Sequence, residues 1–561
     1  MPSRFVWITE SQPVAEGLQG EPRPWPQEVL DRHGLRQLKP AEATRIPSDN
    51  GPGTQPRSTV YRAATLLIPE RLFRKESAAL DMVRQVLRTN GNVELTPPAP
   101  LSEVEEAQPY LDTLAGLPRP AVLHTADGSP PDAWTSLQAL RRAVVAREFE
   151  RLPQDDRDDV DRISLEHALS GCVIIGPAPA SEPHPGTGDE EPAAVRSGYG
   201  RRPVMYVGAP PCRPKPKTGT RRPVIAVVDT GYGAHEWFGT SGGQALSTDP
   251  DHFLKVSPIT QKLIQAQLTH VQGLTVSDVL DSDREGPVYA DPITQQLSTG
   301  IGHGTFIAGL IHQAAPGADV LSIRALRADD VAYEADVLIA LYVLLAKQKD
   351  RTNPSGWVDV ISLSLGYYRE DHEQARTTRI GEVLELLTAH GVLVVAAAGN
   401  DTTSRPFMPA ALAAVPADKW TGERVIGVGA LNTNGTVAWF SNTGESVSVY
   451  APGSNLISTF PDDVRGSNRP VVGRLPDNAE PRIAREGFDS DDFVSGFASW
   501  SGTSFATPVV AAEIANQLFK PAPEAEQPEE VEKAEVPVPD MARAKAVVAA
   551  LRQSANPGKP S

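Results

Sequence analysis

Residues 224–231 read VIAVVDTG, and the fold predicted for the chain follows from this stretch. Its first five residues are all apolar, which is typical of a strand buried on both faces of a parallel sheet. The strand ends in Asp229, Thr230 and Gly231, so a carboxylate lies at its carboxyl end. Because ligands of open parallel sheets bind beyond that end, Asp229 is a candidate functional residue.

The pattern of a short apolar run followed by a helix repeats along the sequence after this strand. Strands are predicted at 320–323, 358–363, 392–397 and 425–428. Helices are predicted from residue 302 onward and at 334–349, 373–390 and 541–551. Strands that alternate with helices predict an α/β fold, in which helices cover both faces of a parallel β-sheet.

The first 222 residues have a different sequence pattern, which predicts a smaller module. Residues 1–57 read mostly as loop around one strand near 5–8, and 177–222 form a linker rich in proline and charge. Between them, 58–176 predict a small α/β or α+β module. Its strands are expected at 59–69, 92–97, 121–124 and 172–175, and its helices at 72–87, 132–149 and 163–169. The larger domain then spans 223–553, with a disordered acidic insertion at 520–539 and a tail at 554–561.

Composition excludes several classes of function. The chain has 561 residues and a formal net charge of −17, which argues against binding to nucleic acid or anionic membranes. Two cysteines, Cys172 and Cys212, form no disulfide framework and no zinc site without further ligands, so no metal or cofactor is expected. The first residues lack the pattern of a secretory signal, and no apolar run reaches the roughly 20 residues of a membrane helix. A cytoplasmic location is therefore expected.

Residues 497–512, FASWSGTSFATPVVAA, place Ser504 at the start of a buried helix. A helix N-terminus favours negative charge and offers backbone N–H groups, which suits a nucleophile whose attack creates an oxyanion. Gly502 allows a substrate backbone to approach closely. Pro508 deprives the Ser504 carbonyl of its usual helical donor, which is unusual in a helix that only packs.

A hydroxyl nucleophile needs a base, and the base needs a carboxylate that orients it. The candidates follow in the order Asp229, His303 and Ser504, each with a glycine close by. This order differs from that of chymotrypsin-like enzymes and of α/β-hydrolases.

Several blocks of the sequence resemble those of a known family. VIAVVDTG, GHGTFIAG and GTSFATP are similar to the three catalytic blocks of subtilisin-like serine proteases. Two further matches are VVAAAGN, ending at Asn400, and SLSLG at 362–366. The resemblance covers roughly 221–518 and the last helix, and five blocks in the right order make it specific.

The resemblance implies a serine endopeptidase that acts on a peptide or protein substrate. Asp229 would orient His303, His303 would act as general base and then general acid, and Ser504 would attack the peptide carbonyl. Asn400 and the Ser504 N–H would bind the oxyanion. Substrate would add as a strand along residues implied to line the cleft, which are Ser364, Leu365, Gly366, Ala398 and Gly399.

The departures from the family are also informative. The helix that begins at His303 leads almost directly into the next strand, so the calcium-binding loop that many members carry there is not expected. The segments between Asp229 and Gly302 and at 461–494 are long for the family and could shape the cleft. Packing or surface roles are expected for four other histidines of the domain, and a solvated loop for the acidic run 489–492. Those histidines are His235, His252, His270 and His312.

Two other readings of the larger domain stay open. Asp229-Thr230-Gly231 is also the signature of aspartic proteases, but no second such triplet occurs to supply the partner carboxylate. A catalytically silent scaffold with the protease fold is the alternative from another class.

The role of the N-terminal module is open as well. It is either an inhibitory propeptide, released by self-cleavage between 176 and 222, or a permanent recognition domain that brings a partner protein or substrate to the cleft. The absence of a predicted signal sequence slightly favours the second role.

Overall fold

The computed structural model describes residues 5–8, 20–48, 53–73, 77–171, 201–206, 208–268, 284, 297–371, 377–466, 493–519 and 539–555. The helices are α1 (Gln27–Arg32), α2 (Ala78–Gly91), α3 (Leu111–Leu114), α4 (Ala133–Val145), α5 (Gln154–Asp161), α6 (Pro258–Leu268), α7 (His303–Ala314), α8 (Glu334–Lys349), α9 (Arg379–Ala389), α10 (Thr503–Leu518) and α11 (Met541–Ala555). The strands are β1 (Val6–Trp7), β2 (Leu35–Gln37), β3 (Val60–Pro69), β4 (Val93–Thr96), β5 (Pro118–Thr125), β6 (Ser164–Ser170), β7 (Arg202–Pro203), β8 (Val224–Asp229), β9 (Leu254–Val256), β10 (Asp319–Arg324), β11 (Val331–Tyr333), β12 (Val360–Leu363), β13 (Tyr367–Tyr368), β14 (Leu393–Ala397), β15 (Phe407–Met408), β16 (Ile426–Leu431), β17 (Val449–Pro452), β18 (Leu456–Thr459) and β19 (Phe497–Trp500).

An eight-stranded sheet forms the centre of the larger unit, in the order β1-β17-β16-β14-β12-β8-β10-β9. Its strands pair in parallel from β17 to β9, and β1 pairs antiparallel with β17 at one edge. The parallel sheet predicted from the alternating pattern is therefore confirmed.

Strand β8 shows why this sheet needs a continuous apolar run. Ile225 and Val227 pack into the core that contains residues of α7, α10 and α11. Ala226 and Val228 face the opposite side and pack with residues of α8 and α9. Since successive side chains of a strand point to opposite faces, helices on both sides of the sheet require apolar residues at every position.

The smaller unit is an α+β structure with an antiparallel sheet. The strand order is β11-β6-β3-β5-β4, and β2 pairs with β3. Helices α2 and α4 pack on this sheet through a separate core that includes Leu66, Leu80 and Leu137. Strand β11 belongs to the larger unit, so the two units share one sheet at their junction.

The predicted helix at 163–169 is wrong, because these residues form strand β6. Leu165, Ala168 and Leu169 follow a helical spacing, but each is buried in the sheet. Strand β6 pairs with β3 on one side and with β11 on the other, and these partners lie about 100 residues before it and 160 residues after it. Long-range pairing overrides the local preference here.

Other boundaries in the smaller unit also differ from the prediction. Helix α2 begins at Ala78 and not at residue 72, because the hydroxyl of Ser77 accepts the Leu80 N–H at 3.2 Å and caps it. Helix α1 and strand β2 lie in the segment predicted as loop, and α5 was not predicted. Strand β7, at Arg202–Pro203, lies within the segment predicted as a linker.

Several predicted features lie outside the described residues. They are the strand at 172–175, most of the linker 177–222, the acidic run 489–492 and most of the insertion 520–539. Within the described part of the chain, no helix is long and apolar enough to cross a membrane.

Candidate active site

Asp229 is the last residue of β8, at the carboxyl end of the parallel sheet. Its Oδ1 accepts the Thr230 N–H and lies 2.8 Å from Nδ1 of His303. Both side chains are fully buried. The sequence prediction that these two residues meet agrees with this geometry, and the bond fixes Nδ1 as the nitrogen that faces the carboxylate.

His303 is the first residue of α7, and two glycines allow it to reach this position. Gly302 has φ +79°, and a Cβ there would lie 2.1 Å from the Phe460 ring. A Cβ at Gly304 would lie 2.3 Å from the Gly231 carbonyl oxygen, so α7 can approach the loop after β8 only without that atom.

Ser504 is the second residue of α10, and its side chain is also buried. The next residue, Phe505, packs against the histidine, with its ring centroid 5.1 Å from that of His303. Ser504 Oγ donates to the carbonyl of Gly171 at 2.8 Å. The Ser504 carbonyl, which Pro508 leaves without a helical donor, accepts the Ser364 hydroxyl at 2.8 Å.

Asn400 follows β14 and lies against the start of α10. Its Oδ1 accepts the N–H of Thr503 at 3.0 Å and the Thr503 hydroxyl at 2.9 Å. A backbone N–H can only donate, so the amide oxygen must be the atom that faces Thr503. The amide NH₂ of Asn400, the group that could donate to an oxyanion, therefore points away from Thr503.

The residues predicted to bind substrate lie beside this site. Gly366 exchanges two backbone hydrogen bonds of 2.9 Å with Ser170, and a Cβ at Gly366 would meet the Met408 carbonyl at 2.1 Å. The carbonyl of Ser364 lies 3.5 Å from Ser504 Oγ, and Leu365 is buried. Ala398 and Gly399, which has φ +102°, form the turn between β14 and Asn400.

Sequence analysis missed that the chain itself occupies this cleft. Strand β6 runs antiparallel to β11, with Ser170 opposite Val331, and it bridges to Gly366 on its other side. The next residue, Gly171, presents its carbonyl to Ser504. The sequence gives no signal for this placement, because residues 164–171 carry no motif of their own.

Asp330 is a second residue that sequence analysis missed. Its carboxylate accepts the Ser170 hydroxyl at 2.8 Å and the Gly171 N–H at 3.0 Å, so it holds the end of β6 against the cleft. Burial raises the pKa of Asp330 to about 7, although His303 and the two hydrogen bonds oppose the rise. In the sequence, Asp329-Asp330 reads as an ordinary solvated turn.

Three of the four histidines for which packing or surface roles are expected are described, and each contacts neighbouring residues of the larger unit. His312 stacks on Phe253 with ring centroids 4.1 Å apart, and burial lowers its pKa to about 4. His235 bonds the Gly496 carbonyl at 2.8 Å, and His252 bonds the Leu254 carbonyl. His270 lies outside the described residues. Only Ala315 to Ala318 separate α7 from β10.

Comparison with known proteins gives the family context. The profile of the subtilase family matches residues 220–538. The serine protease AprX of Bacillus subtilis (strain 168) is 28% identical over 276 residues, which cover 43% of this chain and 55% of AprX. Subtilisin BL of Lederbergia lenta is 28% identical over 276 residues, covering 45% of this chain and 80% of that protein.

A third relative is the thermophilic serine proteinase of Bacillus sp. (strain AK1). It is 32% identical over 168 residues, which cover 28% of this chain and 36% of the relative. The chain thus spans about half or less of the length of AprX and of this proteinase. In all three cases less than half of this chain is aligned.

Proposed function

The chain belongs to the subtilase family, and we propose that it is a serine endopeptidase whose nucleophile is Ser504. The observation that carries the proposal is the 2.8 Å bond between Asp229 Oδ1 and His303 Nδ1 at the carboxyl end of the parallel sheet. Because Nδ1 donates to the carboxylate, Nε2 is the nitrogen that accepts the serine proton.

The reaction follows from these roles. Ser504 Oγ attacks the carbonyl carbon of a peptide bond and gives its proton to Nε2 of His303, while Asp229 stabilises the imidazolium. The Asn400 amide and the Ser504 N–H bind the oxyanion. When the C–N bond breaks, His303 returns the proton to the leaving amine. A water molecule, activated by the same base, then hydrolyses the acyl ester and regenerates Ser504.

The alternatives weighed above make different predictions. An aspartic protease pairs two carboxylates around one proton, whereas Asp229 bonds a histidine and the family is that of subtilases. A silent scaffold would keep the fold but would not react. A fluorophosphonate probe separates them, since it labels a serine only when its base and oxyanion donors work together. We expect labelling at Ser504 that is lost in Ser504→Ala; no labelling of either the wild-type chain or a Ser170→Ala variant, which loosens β6, would favour the scaffold.

For the N-terminal unit we propose the inhibitory role. The end of β6 lies in the cleft between β11 and Gly366, with Ser170 paired on both sides, which is how a peptide substrate would bind; the earlier residues of β6 pair with β3. The triad residues are fully buried beneath it. Ser504 Oγ points its proton at the oxygen of Gly171, so this arrangement holds the hydroxyl without presenting it to the carbonyl carbon.

Intact-mass analysis of the wild-type chain beside Ser504→Ala tests this role. If β6 is an inhibitory strand that the enzyme cuts, the wild type yields two fragments and the variant one full-length mass. Because Gly171 is the residue at Ser504, we expect the cut within the first few bonds after it, which moves the site upstream of the 176–222 range. A wild-type chain that reacts with the probe and keeps its full mass would favour a permanent recognition domain.

A further inference from the structure

The side chain of His167, on β6, is enclosed by two glutamates. Its Nδ1 lies 2.6 Å from Glu334 Oε2 and its Nε2 lies 2.9 Å from Glu370 Oε2. The imidazole stacks on the ring of Tyr367, with centroids 4.3 Å apart and an interplanar angle of 23°. All four side chains are buried.

The histidine in this pocket is an imidazolium. Carboxylates only accept hydrogen bonds, so a ring with a carboxylate at each nitrogen needs a proton on both. Burial by itself would lower the pKa of His167, but Glu334 and Glu370 outweigh it and raise the pKa to about 10. The pocket therefore binds a cation.

The pocket and its occupant come from different parts of the fold. Glu334 opens α8 directly after β11, and Tyr367 and Glu370 follow Gly366. All three belong to the subtilase unit and lie along the two segments between which β6 is added. Of the four side chains, His167 is the one from the N-terminal unit, four residues before Gly171; Arg141 of the same unit also lies 3.8 Å from Glu370 Oε1.

A substrate strand on the same path would place a side chain in the same pocket. Strand register is fixed by the backbone pairing with β11 and Gly366, so the residue four positions before the one whose carbonyl faces Ser504 would meet the glutamates. Leu169, on the same face as His167, packs with Leu365 in the core of the subtilase unit. The subtilase unit therefore contacts the side chains at the positions of both His167 and Leu169.

We propose that Glu334 and Glu370 form a specificity subsite for a cationic side chain of the substrate, at the position that His167 occupies in the resting chain. The proposal rests on the endopeptidase function above. Arginine suits the site best, since its planar guanidinium can stack on Tyr367 while it donates to both carboxylates. Lysine and protonated histidine follow, and glutamine and glutamate are disfavoured because they leave buried carboxylates without a cation.

The first test uses internally quenched peptides with the sequence of residues 164–175 and Arg, Gln or Glu in place of His167. We expect kcat/KM of the full chain to be about tenfold or more higher for Arg than for Gln, and lowest for Glu. Occupation of the cleft by β6 lowers all these values by the same factor, so their ratio is unaffected. Equal values for the three peptides would overturn the proposal.

Variants of the enzyme test which residues cause the preference for arginine over glutamine. In Glu370→Gln, the Arg-to-Gln ratio should fall to within about threefold. Glu382→Gln is the matched control: Glu382 pairs with Arg162 of the N-terminal unit at 2.9 Å but lies on α9, away from the cleft. Its ratio should stay at the wild-type value. An unchanged ratio in Glu370→Gln would overturn the assignment to this pair.

A second measurement needs no catalysis and so separates this proposal from the proposed function. In full-length Ser504→Ala, hydrogen exchange of the β6 amides is compared between His167→Arg and His167→Gln. A cation-binding pocket predicts that the Arg variant keeps the protection and that the Gln variant exchanges about tenfold faster or more. Equal protection in the two variants would overturn the subsite even if the chain proves to be an active protease.

Discussion

The hydroxyl of Ser364 donates to the backbone carbonyl of Ser504 at 2.8 Å. Pro508 has no N–H, so the helix itself cannot satisfy this carbonyl. The segment after β12 thus supplies the hydrogen bond that α10 lacks. A residue implied to bind substrate therefore also holds Ser504, the proposed nucleophile.

Removing this hydroxyl should destabilise the fold. We expect Ser364→Ala, in the Ser504→Ala background, to lower the free energy of unfolding by about 1–3 kcal/mol, because a buried carbonyl loses its partner. The matched control, on β12 itself, is Ser362→Ala, whose buried hydroxyl has no hydrogen-bond partner among the described residues. Urea denaturation of both variants makes the comparison; equal losses would contradict this role of Ser364.

Asp229→Asn tests the orienting carboxylate. The amide preserves the shape but stabilises the wrong tautomer of His303 and cannot balance its charge, so kcat should fall by about 10⁴ while the melting temperature changes little. Steady-state kinetics with a peptide substrate measures the loss. Asp418→Asn, at an exposed carboxylate, should retain wild-type activity; a similar loss in both variants would argue against the triad.

Asn400→Ala tests the oxyanion donor. We expect kcat to fall by about 10²–10³ with KM nearly unchanged, the range known for the corresponding amide of a related enzyme, because the donor acts mainly in the transition state. The variant also removes the acceptor for Thr503, so its unfolding must be measured in parallel. A rise in KM without a fall in kcat would contradict the assignment.

Ser170→Ala should loosen β6 in the cleft. The change removes the hydroxyl that donates to Asp330 at 2.8 Å, so the site should open more often and a fluorophosphonate should label Ser504 several-fold faster in the uncut chain. Ser164→Ala, at the other end of β6, removes a buried hydroxyl without a partner among the described residues and should leave the rate unchanged. Equal rates in the two variants would show that Asp330 does not restrain the strand.

Raising the pH should release β6. The docked pKa of His167 is about 10 against an ordinary 6.5, so the docked strand binds the proton more tightly. This contribution to docking is complete below about pH 6.5 and is lost as the pH rises towards 10. Exchange of the β6 amides in Ser504→Ala, corrected for intrinsic rates, should accelerate over this range.

The low-pH limit and the control follow from the same pocket. The pKa of Glu370 is about 2: burial would raise it, but His167 lowers it below the ordinary 4.5, so docking also weakens as the pH falls below about 4.5. In His167→Gln the change above pH 7 should disappear, and its persistence would contradict the prediction. Other titratable and charged groups also act on this pocket from its own and neighbouring elements; they include Glu334, Tyr367, Tyr61, Arg141, Glu166, Arg369, Asp371, Arg379 and Arg405.

The placement of the proposed triad residues was predictable because they lie at points where local sequence is decisive. Asp229 ends β8, His303 begins α7 and Ser504 lies in the first turn of α10, each with glycine nearby, and the apolar run of β8 is typical of a parallel sheet covered on both faces. Strand β6 was not predictable in this way. Its alternation is masked by burial on both faces, and its partners β3 and β11 are distant in sequence, so only the assembled fold distinguishes it from a helix.

Asp330 and the pocket of His167 illustrate the same limit. Asp330, Glu334 and Glu370 read as ordinary charged residues at turns and helix starts, and their roles arise only because β6 is docked beside them. A single sequence contains the residues of both units but no signal that they meet.

The N-terminal part of the chain contacts the subtilase unit through strand β1 as well as through β6. Val6 and Trp7 pair with Tyr450 and Val449 at the edge of the main sheet, far along the chain from β6. A cut after Gly171 would therefore divide the polypeptide without setting the fragments apart, since two separate strands would have to leave together. Cleavage of the chain and release of the N-terminal fragment from the subtilase unit would then be two separate events. The lifetime of the cleaved complex would set the delay between them.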